Sequence, residues 1–169
     1  METLFPNSSR EEKIQVYGQE TLENIQIKSS VKLLGTTVEK LTEVDGNFYC
    51  ENAKTGMLLI EGSATIISST IGSRAAIQGS LSVHDSEFIE NLEFTGKKLE
   101  ISSSVLNSIF IFAPENFDKE LILELSKNTL LKGSVIFQGA RGKVLLKDKS
   151  QIRGQIVGGE RIDLPSLDS

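Results

Sequence analysis

The chain has 169 residues, is 38% hydrophobic and carries a formal net charge of −5. That is enough apolar material for one cored domain, and its acids and bases alternate, so no basic stripe exists to track phosphates and nucleic acid is not an expected partner. The first twelve residues lack the basic start and apolar run of a secretory signal, and nowhere do eighteen apolar residues stand together, so a cytoplasmic chain without a transmembrane segment is expected.

Taken in chain order, Ser9-Arg-Glu-Glu12 has the form of a capping box ahead of Ile14 and Val16. It predicts a tail or a short capping helix within residues 1–20, the helix lying near Ser9 to Tyr17. Asn7-Ser-Ser9 fits a glycosylation triplet, which has no physical consequence in a chain that is not secreted. From Leu22 to about Ile162, short apolar or alternating runs are broken by Gly, Ser, Asn and Lys-Asp turns, so residues 21–162 are read as one β domain. Within it, Ile27 to Gly35 reads as a first coil and Val38 to Gly56 as a degenerate second. Cys50, the single cysteine, has no partner for a disulfide or a metal pair and is read as a small buried hydrophobe. The two Tyr, Tyr17 and Tyr49, are read with the eight Phe as core or end-cap residues, since no basic interleaving accompanies them.

A recurring motif then sets the architecture. An apolar residue, four mostly small or polar ones and a second apolar residue return at Ile66-Ile-Ser-Ser-Thr-Ile71, Val83-His-Asp-Ser-Glu-Phe88, Ile101-Ser-Ser-Ser-Val-Leu106 and Leu125-Ser-Lys-Asn-Thr-Leu130. A longer copy stands at Leu146-Lys-Asp-Lys-Ser-Gln-Ile152. The closing residues Ile71, Phe88, Leu106, Leu130 and Ile152 are 17, 18, 24 and 22 apart, and the long interval holds residues 114–120, which predict a projecting loop. Phe117, Leu121 and Leu125 also fit a helical spacing, but Leu121, Leu123 and Leu125 alternate as a strand does. The fold class that follows is all-β, a single-stranded parallel β-helix of roughly 17–24 residues per coil, expected to be right-handed. Ile66, Ile71, Ile77, Val83, Phe88, Phe94, Ile101, Leu106, Leu125 and Leu130 should point inward. Gly62, Gly79 and Gly96, again 17 apart, should share one corner, and Ser69, Ser86 and Ser103 or Ser104 should form a polar ladder at another.

His84, the only histidine, in Val83-His-Asp-Ser, excludes a multi-histidine metal site and is read as outward-facing or at a corner, although a Ser-His-Asp arrangement is formally possible. Asp85, Glu87, Glu90 and Glu93 read as a solvated acidic flank, since paired catalytic carboxylates need separations that spacing cannot establish. Gly139-Ala-Arg-Gly142-Lys143 has the wrong spacing for a phosphate loop and is a turn. No catalytic residue, cofactor or metal is therefore expected.

The stretches Leu59 to Ile66, Gly72 to Val83 and Gly142 to Ile156 resemble coils of the bactofilins, polymer-forming bacterial cytoskeletal proteins, over about half of the chain. The resemblance implies a small triangular β-helix with short tails that forms filaments by stacking helix ends without a nucleotide. The 24-residue coil and the region from Val38 to Gly56 depart from that pattern. Independently of it, the last coil, Gln155 to Ile162, is followed only by a 163–169 tail too short to cap it, which makes Ile156, Val157 and Ile162 the candidate self-association end. A structural scaffold whose partner is itself is thus the leading expectation. The alternatives are a regulatory module binding another protein through a solenoid face or the 114–120 loop, and a carbohydrate-active β-helix, which the absence of Trp disfavours.

Overall fold

A computed structural model of the chain describes residues 14–165. Among them no α-helix occurs, and parallel strands stack as a β-solenoid of about nine turns. Each turn visits three faces. One turn leaves the long face at Ile67, rounds Ser68 and Ser69, and lays Thr70–Ile71 on a short face. It turns again at Gly72, and Ala75–His84 then crosses a middle face, rounds Gly79 and returns to the long face.

Strict alternation drives the burial. Within a strand every second side chain points to the interior, where it meets its equivalents one turn above and below, so columns of like residues form. Ile66, Val83, Ile101, Leu125 and Leu146 make one such column on the long face, and Ile60, Ile77, Phe94, Ile111 and Phe137 another on the middle face. All ten are buried. Each contributes about 1.5–3 kcal/mol on full burial, which no isolated coil could realise.

Of the ten residues expected to point inward, nine are buried; Leu130 is not. Leu131 pairs with Leu106 and Ile152 in the short-face column, and Leu130 faces outward beside Val105 and Gln151. The cause is one extra residue at the corner: Lys127 and Asn128 both adopt positive φ, as Asp148 and Lys149 do one turn later. The long interval is therefore one residue longer than the motif suggested and the next one shorter.

Both corner devices form. Gly46, Gly62 and Gly79 stack at the corner between middle and long faces, and a Cβ on Gly96 would run into the carbonyl of Gly79. At the opposite corner Ser69, Ser86, Ser104, Thr129 and Ser150 are buried in a ladder. The N–H of Ser69 donates to Oγ of Ser86 (3.0 Å), that of Ser86 to Oγ of Ser104 (2.9 Å), and that of Thr129 to Oγ of Ser150 (3.1 Å). The hydroxyls of Ser69, Ser86, Ser104 and Thr129 then each donate to a carbonyl of their own turn, as Ser86 does to His84 at 2.9 Å. The backbone reaches this geometry through left-handed residues just before the ladder, Ser68, Asp85 and Ser103, with φ of 47, 51 and 52°. Short polar side chains tolerate that conformation.

Two expectations about the N-terminal part are corrected. Ile14–Tyr17 is a strand paired in parallel with Ser30–Leu34, because it takes up the backbone groups that Ser30–Leu34 turns outward, which a helix could not pair with; Ser9 to Lys13 lie outside the described residues. The degenerate second coil is instead a full turn built from Thr37–Glu51, one strand that runs over the short, middle and long faces with a bulge between Val38 and Leu41. Tyr49 is also no core residue: it faces outward, donating to Glu51 at 2.9 Å beneath the Lys32 ammonium.

Residues 114–120 form a loop as expected, yet one with an anchor. Phe117 packs half-buried on the core, and Lys97 Nζ lies 5.7 Å from its ring centre. Replacing the loop by a short turn should therefore cost about 1–2 kcal/mol, from roughly half the burial of one Phe and a surface cation–π contact. Phe117→Ala alone should account for most of that loss in thermal melts; a much larger loss on loop removal would mean that the loop organises the adjoining turns.

Candidate functional site

The C-terminal turn is assembled from Gln151–Ile152, Ile156–Val157 and Gly159–Asp163 on the short, middle and long faces. Nothing among the described residues stacks on its far side. Of the three residues singled out from the sequence, only Ile156 belongs to an inward column, above Val135. Val157 stands outward over Ile136, 47% exposed, and Ile162 stands outward over Leu145. The inward positions of the last strand are held instead by Arg161, above Val144, and Asp163, above Leu146. Their side chains form an ion pair, Arg161 Nε to Asp163 Oδ1 at 3.0 Å, and both remain more than half exposed. From the sequence Arg161 falls within the last coil and Asp163 in the tail, with no role for either; strand register alone puts both over the core.

The backbone of that strand is equally ordered. Gly142 N–H donates to Gly158 C=O and Leu164 N–H to Leu146 C=O, and the register pairs Lys143 with Glu160 and Leu145 with Ile162. In a parallel ladder the two polar groups of a residue point to the same side and alternate along the strand. Gly159, Arg161 and Asp163 thus direct their N–H and C=O groups away from the preceding turn, to the open edge.

The other candidates are not brought together in the same way. His84 is exposed at the end of its strand, its Nδ1 2.7 Å from Ser102 Oγ, while Asp85 at the following corner accepts from Ser68 Oγ at 3.0 Å. The carboxylate that would complete a triad is engaged elsewhere. Glu87 lies on the short face and Glu93 on the middle face, so the acidic residues read as one flank are spread over two. Glu93 takes two hydrogen bonds from Arg74, 2.9 and 3.1 Å, which hold its carboxyl below the usual range against the opposing effect of burial. It borders a shallow groove of about 600 Å³ floored by Leu59 and Ala76 and flanked by Glu43, Asp45 and Glu61. Cys50 is buried, and desolvation pushes its thiol up to about 12 despite a hydrogen bond to Ser69. Among the described residues no group of three or more His, Cys, Asp or Glu is placed to hold a metal ion, and no helix is long and apolar enough to cross a membrane.

No protein-family model matches the chain, nor does any curated protein or solved structure. The reading of function therefore rests on the fold and the terminal coil.

Proposed function

We propose that the protein is a non-enzymatic structural scaffold that self-associates through its C-terminal coil, a role like that of the bactofilins its coils resemble. The observation that carries this is the open edge at Gly159–Asp163, where alternate N–H and C=O groups point away from the solenoid beside half-buried Ile152 and Ile156. Exposed edges of this kind are templates for another strand, and proteins either cover them or use them.

Light scattering over a concentration series tests the proposal. Ile156→Lys, at the inward position, should weaken association at least tenfold with the melting curve nearly unchanged. Val157→Arg should leave association as it is, because that side chain points sideways from the middle face. If the chain is monomeric at all concentrations, the proposal fails.

A second reading has its own observation. Phe110, Ile136 and Val157 form an outward apolar ladder on the middle face, an arrangement that suits lateral binding of another protein. Loss of association in Val157→Arg but not in Ile156→Lys would favour it.

A further inference from the structure

We infer that two copies close on each other, C-terminal coil to C-terminal coil, across a two-fold axis through Ile162, and so form a closed dimer; this rests on the terminal-coil association proposed above. Arg161 and Asp163 are the inward residues on either side of Ile162, and theirs are the backbone groups aimed at the open edge. Two such strands meeting across a two-fold axis must pair antiparallel. Centred on Ile162, that pairing sets Arg161 of one copy opposite Asp163 of the other, twice over.

Two independent features then agree. The N–H and C=O of Arg161 meet the C=O and N–H of Asp163 in the second copy, so these edge groups, which no strand among the described residues pairs, are satisfied in hydrogen-bonded pairs. The side chains of directly opposed residues lie on the same side of the pair, so each charge, already 3.0 Å from its own partner, gains a second opposite charge. Four charges alternate in sign above Val144 and Leu146. The same axis exchanges the other two faces of the solenoid and brings Ile152 of one copy toward Ile156 of the other.

A head-to-tail stack lacks this match. It would set Arg161 and Asp163 over the inward column positions of the first described strand, Gln15 and Tyr17, an amide and a phenol. Covering charges is costly unless they are paired, and the two-fold arrangement gives each one more opposite charge than the stack does. A two-fold contact also uses up the surface that makes it, so assembly through the C-terminal coil alone stops at two copies.

Charge reversal tests the geometry. Arg161→Asp leaves carboxylates at both positions and Asp163→Arg leaves guanidinium groups at both, so each variant alone should dimerise at least about 30-fold more weakly than the native chain. Mixed in equal amounts, the two should recover dimers of one copy each, because every position then faces the opposite charge. Recovery would also show that both variants are folded. A native chain that stays monomeric overturns this inference together with the proposed function. A native chain that associates while the variants match it, or variants that fail to recover on mixing, overturns the two-fold arrangement and leaves end association standing. Growth of the native chain beyond two copies overturns the closed dimer.

Discussion

Gly79→Ala is expected to destabilise the fold by about 2–6 kcal/mol, combining backbone strain with the overlap of a new methyl group. Gly79 sits at φ 133°, a conformation that L side chains rarely adopt, and its added Cβ would overlap the carbonyl oxygen of Gly62 in the turn below. The obstacle is backbone, held at the solenoid repeat by hydrogen bonds on both sides, so it cannot swing aside as a side chain would. Since a domain has only about 5–15 kcal/mol in hand, much of the stability is at risk. Gly18, with nothing within 4 Å of an added Cβ, is the control, and Gly18→Ala should change stability by less than about 0.5 kcal/mol. Denaturant unfolding of the two variants checks both values; equal midpoints would show that the glycine corner is not a tight contact.

Ile77→Asp is expected to be at least as severe, costing more than about 4 kcal/mol at neutral pH. Ile77 is 2% exposed and lies between Ile60 and Phe94 in the middle-face column, with no cation or donor in that column to receive a carboxylate. Burial favours the neutral acid, so the folded-state pKa of the new group is raised above its unfolded value of about 3.9. The sign follows: the penalty is smallest below that unfolded value and grows as pH rises through the raised folded one. Melting curves at pH 4 and pH 7 should therefore show the variant gaining on the native chain in acid. A variant as stable as the native chain at pH 7 would show that this column is not packed as described.

Much of the solenoid was legible in the chain because its physics is periodic. A residue that must stack on its counterpart one turn away leaves a mark at a fixed interval, so Ile66, Val83 and Ile101, the corner glycines Gly62, Gly79 and Gly96, and the buried hydroxyls of Ser69 and Ser86 could all be placed by counting. Counting failed where a corner took in a residue. Leu130 and Leu131 are both leucine, and only the two left-handed residues at 127 and 128 decide which of them reaches the interior. It failed again at Ile14–Tyr17, where local helix signals lost to an adjacent strand that extends the parallel ladder and takes up the backbone groups facing it.

The candidate site was legible in place but not in composition. Apolar alternation and chain position marked the last coil and named Ile156, Val157 and Ile162 from it. Which side chains face the axis depends on the parity of each strand relative to the turn beneath, and a shift of one position reverses every side chain in a strand. By itself the sequence determined the repeat and most of the core, because those follow from burial repeated at constant spacing. The tertiary register alone decided that Val157 and Ile162 point sideways while Arg161 and Asp163 close the core, since that choice is made by hydrogen bonds to residues about one turn away and by nothing local to the strand.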